Sequence, residues 1–262
     1  MRPDIVNLRQ FYSSRLGRKV KRQLRRIANE YWKDEQGLHT LGIGYATPLM
    51  RPPASDSNPA RARVVALMPI AQGAIYWPVD DANHSILGDE MRPPFPPSSI
   101  HRIVMLHAFE YAQAPDELLR VMWQLLAPGG RMLLVVPSRR GLWARLGATP
   151  FSTGTPYTLG ALKELLRGAD FTLRDARSTL FTPPSTHAFW LRAFSPLEWL
   201  GNACFPRIGG VFVIEAEKQI YAGIRPPALS VKAARQWVPA SASALSTPSI
   251  SQNSHTAGSS PS

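Results

Sequence analysis

Cysteine is nearly absent: Cys204 is the only one in 262 residues. A single thiol forms no intramolecular disulfide and builds no cysteine-based metal site. That fits a reducing compartment. There is no run of about 18 apolar residues, so no transmembrane helix is expected. The opening "MRPDIVNLRQFYSSRLGRKVKRQLRR" lacks the continuous apolar core of a signal peptide, and cytoplasm is the expected location. His84 and His187 stand isolated, without metal-ligand spacing, so no metal site is expected. A Walker loop, a nucleophile elbow and a credible triad are also missing, as is any internal repeat. Acidic side chains are few: 18 Asp and Glu face 30 Lys and Arg, a formal net charge of +12. Such an excess points to an anionic partner, whether nucleic acid, anionic lipid or a phosphorylated substrate. A soluble protein with a basic helix or tail is the alternative reading.

The length suffices for one sizeable α/β domain with extensions, and an apolar share of 44% is that of a globular chain. Three regions are distinguishable. Residues 1–35 form a basic helical arm; residues 1–33 hold ten Lys/Arg against Asp4 and Glu30. In that arm Ile5, Leu8, Tyr12, Leu16, Val20, Leu24, Ile27 and Tyr31 recur at helical spacing, with a break near Gly17. Arg15, Arg18, Lys19, Arg22, Arg25 and Arg26 form a second stripe, read either as a solvated face or as an anion-binding surface. Residues 36–224 alternate between strand and helix. "LHTLGIG", "RVVALMP", "SILGDE", "HRIVMLHAFEY" and "RMLLVVP" read as strands, and "GGVFVIEAEKQIYAG" as a late one. "PDELLRVMWQLLAPGG" and "TLGALKELLRGADF" read as helices, and "AQGAIYWP" as a short one. The alternation argues for a doubly wound sheet. "HAFWLRAFSPLEWLGNACF" reads as a lid or packing segment. Residues 225–262, rich in Ser, Ala and Pro, read as a disordered tail.

"HTLGIGYATPLM" has the shape of a strand running into a glycine turn that opens a helix. "IVMLHAFEYAQAPDELLRVMWQLLAPGGRMLLVVP" looks like a strand, a helix and an "L-x-P-G-G" turn into the next strand. "GDEMRPPFPPSSIHRIV" and "PYTLGALKELLRGADF" add a Gly-Asp loop and a late helical segment. In this order the motifs resemble the class I S-adenosylmethionine (SAM)-dependent methyltransferases, over roughly Leu38 to Tyr221. The resemblance implies a Rossmann-like, mostly parallel doubly wound sheet with a late antiparallel strand. It also implies SAM as cofactor, methyl transfer as activity, and a small-molecule or macromolecular methyl acceptor that the sequence does not name.

By the same resemblance, Gly42, Gly44, Tyr45, Met68, Asp89, Leu106 and His107 fall at the cofactor. The first motif departs from the family's "vLDlGcGtG". Gly42 replaces the acidic residue, and Ala46 and Pro48 replace the second and third glycines. Met68 stands where a carboxylate would accept from the ribose hydroxyls, and a thioether cannot replace a two-oxygen acceptor. Asp89 falls where the family reads the adenine amino group; capping its own turn is the alternative.

His107 and Glu110 stand three residues apart after the fourth strand, where ligands bind in doubly wound folds. They are the candidate catalytic pair, should the acceptor have to lose a proton; packing and capping are the alternative. Phe11 and Tyr12 could close the cofactor pocket or belong to the core. Arg139, Arg140, Trp143 and Arg145 form an arginine–aromatic cluster able to hold an anionic substrate group, or a basic surface loop. A catalytically inactive module that binds RNA or anionic lipid through the arm is the runner-up function.

Overall fold

The computed structural model describes residues 2–32, 38–51, 63–145, 149–181 and 209–220. The loop 52–62, the aromatic segment around 187–205 and the Ser/Pro/Ala-rich tail lie outside the described residues. The described residues belong to one compact unit, which ends at Ile220.

Two helices open the chain, α1 (Ile5–Ser13) and α2 (Arg15–Tyr31). Asp4 caps the first by accepting from Val6 N at 2.7 Å, and Ser14 caps the second by accepting from Gly17 N at 3.0 Å. Each such cap contributes about 1 kcal/mol. Ser14 ends α1 and starts α2 in one extended residue, so the two helices meet at a sharp corner. Gly17 makes that corner feasible: a Cβ there would lie 1.9 Å from the Phe11 carbonyl oxygen.

Seven strands follow: β1 (Thr40–Gly44), β2 (Val64–Pro69), β3 (Ser85–Gly88), β4 (Ile100–Leu106), β5 (Leu126–Pro137), β6 (Phe171–Thr179) and β7 (Val211–Lys218). Helices α3 (Pro115–Leu125) and α4 (Leu159–Gly168) flank β5. Pro115 and two acidic residues open α3, and Thr158 caps α4, as their sequences predict. The sheet order is β3-β2-β1-β4-β5-β7-β6. All pairs are parallel except those of β7, which runs antiparallel to β5 and to β6. This is the doubly wound sheet with a late antiparallel strand expected from the sequence. The chain winds outwards in both directions from the β1–β4 pair, which leaves a crevice at the carboxyl ends of those two strands.

One face of the sheet packs against α3 and α4, through Leu118, Leu119, Met122, Leu162 and Leu166. The opposite face packs against α1 and α2 through Ile5, Leu8, Tyr12, Leu16, Val20 and Leu24. Each of these larger side chains contributes about 1.5–3 kcal/mol when fully buried. The basic helices are therefore a layer of the domain rather than a separate arm. Two expected helices are absent among the described residues. After Gly44 the chain makes one turn, with Leu49 N donating to Ala46 O, and runs towards Pro52 and Pro53, which disfavour helix before them. After β2, residues 70–72 make a turn ended by Gly73 at φ +84°, and the following segment is extended. Helices α1 and α2 cover the face those two would have covered. Strand β6 is not legible in the sequence, because three of its nine residues, Thr172, Asp175 and Arg177, are half-buried polar or charged groups that mask the alternation.

Candidate functional site

The turn after β1 is as tight as its sequence suggests. Gly44 has φ +78°, and a Cβ there would lie 2.4 Å from the Leu106 carbonyl oxygen. That same carbonyl accepts from Tyr45 N at 2.8 Å, which locks the end of β1 to the end of β4. The next residue of β4's exit, His107, holds a left-handed backbone at φ +54°. Such strain in a non-glycine residue costs of order 1–3 kcal/mol and gathers at functional sites.

His107 is fully buried and sits at the centre of a polar chain. Its Nε2 lies 2.9 Å from the Tyr12 hydroxyl, and its Nδ1 lies 3.2 Å from Glu110 Oε1. Glu110 accepts only if Nδ1 carries the proton, so Nε2 is left to accept from Tyr12 O–H. Burial first, and then the Glu110 charge, raise the Tyr12 phenol well above its ordinary range, so Tyr12 keeps its proton at neutral pH. Gln72 completes the cluster: its Nε2 donates to the His107 carbonyl at 3.2 Å, and its own carbonyl receives Ile5 N at 2.8 Å. Two buried acceptors in this cluster, Gln72 Oε1 and Glu110 Oε2, have no hydrogen-bond partner among the described residues.

Above the cluster the N-terminal segment is tied down. Arg2 pairs with Glu90 beyond β3, and its guanidinium also reaches the Ala108 carbonyl. Tyr12 stacks on Tyr45 with ring centroids 5.4 Å apart, and the His107 ring lies 4.7 Å from that of Phe151. Beside them, at the carboxyl edge of β1, opens a cavity of about 430 Å³ lined by Arg9, Tyr12, Lys21, Tyr45, Tyr76 and Trp77 among others.

The structure brings Gly44, Tyr45, Leu106, His107 and Glu110 together at the β1–β4 crevice. Gly42 lies in β1 beneath Met50, whose sulfur occupies the space above it; a Cβ on Gly42 would come within 2.2 Å of that atom. Met68 is fully buried at the end of β2, with its sulfur accepting from Ile75 N at 3.3 Å. Asp89 is exposed and accepts from Met91 N at 2.8 Å within its own turn. Arg139, Arg140 and Arg145 are exposed, whereas Trp143 is buried against Phe151. Sequence reasoning missed Gln72 and Arg2. The signal for Gln72 was a lone amide inside the apolar stretch "MPIAQGAIYW"; for Arg2 there was none.

Residues 16–176 match a protein family described as methyltransferase domain, more than half of the chain. The fold is shared with solved structures at low identity. A SAM-dependent methyltransferase from Thermotoga maritima aligns with TM-score 0.54 and 15% identity, over 82% of this chain and 96% of that one. Geranyl diphosphate C-methyltransferase from Streptomyces coelicolor A3(2), solved with Mg2+, geranyl diphosphate and S-adenosyl-L-homocysteine, aligns with TM-score 0.50 and 13% identity, over 77% and 80%. The cyclase SpnF aligns with TM-score 0.52 and 18% identity, over 78% and 82%. No curated protein matches the chain. The chain belongs to the methyltransferase-domain family, and its fold is that of SAM-dependent methyltransferases of known structure. SpnF is a cyclase on the same fold, so the fold by itself does not dictate the reaction.

SAM presents an ammonium group, ribose hydroxyls and an adenine amine as donors, a carboxylate, and a sulfonium. The cavity beside the crevice fits part of that set. Gln72 Oε1 and Glu110 Oε2 are buried acceptors behind it, outside its lining. Arg9 and Lys21 offer cations for a carboxylate, and Tyr12, Tyr45, Tyr76 and Trp77 offer aromatic surface for a ring or a sulfonium. The ribose acceptor usual at the end of β2 is the part that is changed, since the Met68 sulfur is already engaged.

Proposed function

We propose that the protein is a SAM-dependent methyltransferase whose acceptor loses a proton to a buried Tyr12–His107–Glu110 chain. The observation that carries this reading is His107, held in a strained backbone between a phenol and a carboxylate at the β1–β4 crevice. When bound, SAM supplies a methyl group activated on a positively charged sulfur. Tyr45, Tyr76 and Trp77 would hold it, with Arg9 or Lys21 on its carboxylate.

The protein's own part is binding and proton handling. Tyr12 lines the cavity with its hydroxyl hydrogen-bonded to His107 Nε2. A proton arriving on the Tyr12 oxygen is matched by transfer of the phenol proton to Nε2. The imidazolium so formed is stabilised by Glu110 Oε1 at Nδ1, and the low dielectric of the buried site strengthens that interaction. The ring and hydroxyl stay in place throughout, because Tyr12 is stacked on Tyr45. The lost ribose carboxylate weakens cofactor affinity by about tenfold to a hundredfold, from about 1.5–3 kcal/mol for a charged hydrogen bond.

A second reading is supported by Met50 and Met68, which fill two cofactor positions and would suit a non-catalytic module. Calorimetry of the purified chain with SAM and with S-adenosylhomocysteine separates the two. Binding of either, with Glu110→Gln still binding but losing methyl transfer, supports the enzyme. No heat with either ligand, at intact fold, leaves the non-catalytic reading.

A further inference from the structure

The sheet consumes the apolar face of α2, and what remains is a surface of one sign. Leu16, Val20, Leu24 and Ala28 are buried, while Arg15, Arg18, Lys19, Lys21, Arg22, Arg25 and Arg26 share the opposite side of the helix. Glu30 is the one acid in α2, and it is paired with Arg26 and with Arg177 of β6. Lys21 carries this charge to the mouth of the cavity, where Arg9 of α1 joins it.

Beside Arg9 and Lys21 stand large apolar side chains that the fold leaves in water. Val6 on α1 is 65% exposed, Ile70 on the turn after β2 is 67% exposed, and Val79 is 78% exposed, with Tyr76 also exposed. They belong to one neighbourhood. Ile5 N donates to the Gln72 carbonyl, so α1 starts against the turn that carries Ile70. Val6, Arg9 and Ser13 recur at helical spacing on α1, and Arg9 and Ser13 line the same cavity as Tyr76 and Val79.

We propose that this face docks on an anionic lipid bilayer, with the cations on the headgroups and Val6, Ile70 and Val79 in the interfacial layer. Aliphatic groups projecting next to a basic helix face are the chemistry of interfacial binding. Unlike a protein that lies on the membrane by a helix alone, α2 keeps its apolar side in the sheet, so insertion falls to the loops. The cavity mouth lies on the docked side and opens onto the headgroups. Nucleic acid would use the cations but gain nothing from aliphatic side chains, and this decides against it. The inference is independent of methyl transfer.

The test uses the full chain without cofactor, on vesicles of phosphatidylcholine alone or mixed with phosphatidylglycerol, at low and physiological salt. Binding is expected on the mixed vesicles only, weakening as salt rises. Arg15→Gln, Arg18→Gln, Arg22→Gln and Arg25→Gln combined should lower affinity by about fivefold per arginine, several hundredfold together, at unchanged melting temperature. Val6→Ser with Val79→Ser should cost about tenfold or more on vesicles and nothing on a single-stranded oligoribonucleotide. Equal binding to neutral vesicles, indifference to the arginine changes, or RNA binding without vesicle binding would each overturn the proposal. The last would make the face a nucleic-acid surface.

Discussion

Left-handed backbone occurs at several positions, and its cause differs between them. Gly44 (φ +78°) and Gly129 (φ +68°) are both glycines by conformation, but only Gly44 is crowded: the carbonyl of Leu106 stands where its side chain would be, whereas nothing lies within 4 Å of the Gly129 position. Gly129→Ala should therefore cost only the backbone preference, about 1–2 kcal/mol. Gly44→Ala adds a clash with rigid main chain and should cost clearly more, with loss of any ligand bound at the crevice. Urea denaturation of the two variants checks this; equal losses would mean that the β1–β4 junction yields easily. His107 is different again, since a side chain is present and engaged on both ring nitrogens. Its strain is maintained by Gln72 on its carbonyl and by the tyrosine above it.

Helix α2 is fixed to the sheet at its far end as well as through its apolar face. Tyr31 donates to Asp175 Oδ2 at 2.9 Å, and Arg177 bridges Glu30 and Asp175. The hydrogen bond from Arg177, opposed by slight burial and aided by the charges of Arg177 and Arg26, holds the Glu30 carboxyl below its ordinary value of 4.5. The sign follows: a carboxyl with a lowered folded pKa favours folding above the unfolded value, and that contribution vanishes as pH falls through the folded one. Glu30→Gln should therefore melt lower than the parent near pH 7, with the gap closing as pH falls below 4.5; thermal melts across that range decide it. A gap that persisted in acid would place the effect in packing rather than charge. The corner between α1 and α2 makes a second demand. Gly17→Ala puts a methyl against the Phe11 backbone, and should push α1 away from the crevice, lowering stability and loosening Tyr12 together. Tyrosine fluorescence alongside the melt would follow both.

At the scale of the whole molecule, the compact unit closes with β7, the central partner of β5 and β6, and ends at Ile220. Residues 221–262 are poor in apolar groups outside a few positions, so they have little surface to bury. A chain stopped after Ile220 should keep its melting temperature within a few degrees. A larger fall would show that the missing part is docked on the domain.

The sequence by itself determined the layers of this protein. Apolar runs such as "RMLLVVP" mark central strands because a parallel strand is buried on both faces, and α3 and α4 show in their periodicity, Pro115 and Thr158. It also marked the turn at Gly44, and placed His107 and Glu110 on the right edge, since strand ends of one sheet converge there. What it could not decide was which residues meet across long separations. Tyr12 and His107 are 95 positions apart, Arg2 and Glu90 are 88 apart, and no local pattern encodes such pairings. The tertiary structure also decided that α1 and α2 replace the helices expected after β1 and β2. A helix's apolar stripe states that it must be covered, but only the packed sheet states by what. Met50 and Met68 carry the same lesson: in the sequence Met68 is an apolar residue at a polar position and Met50 an apolar residue without a role, and only packing shows their sulfurs filling the space above Gly42 and capping the Ile75 amide.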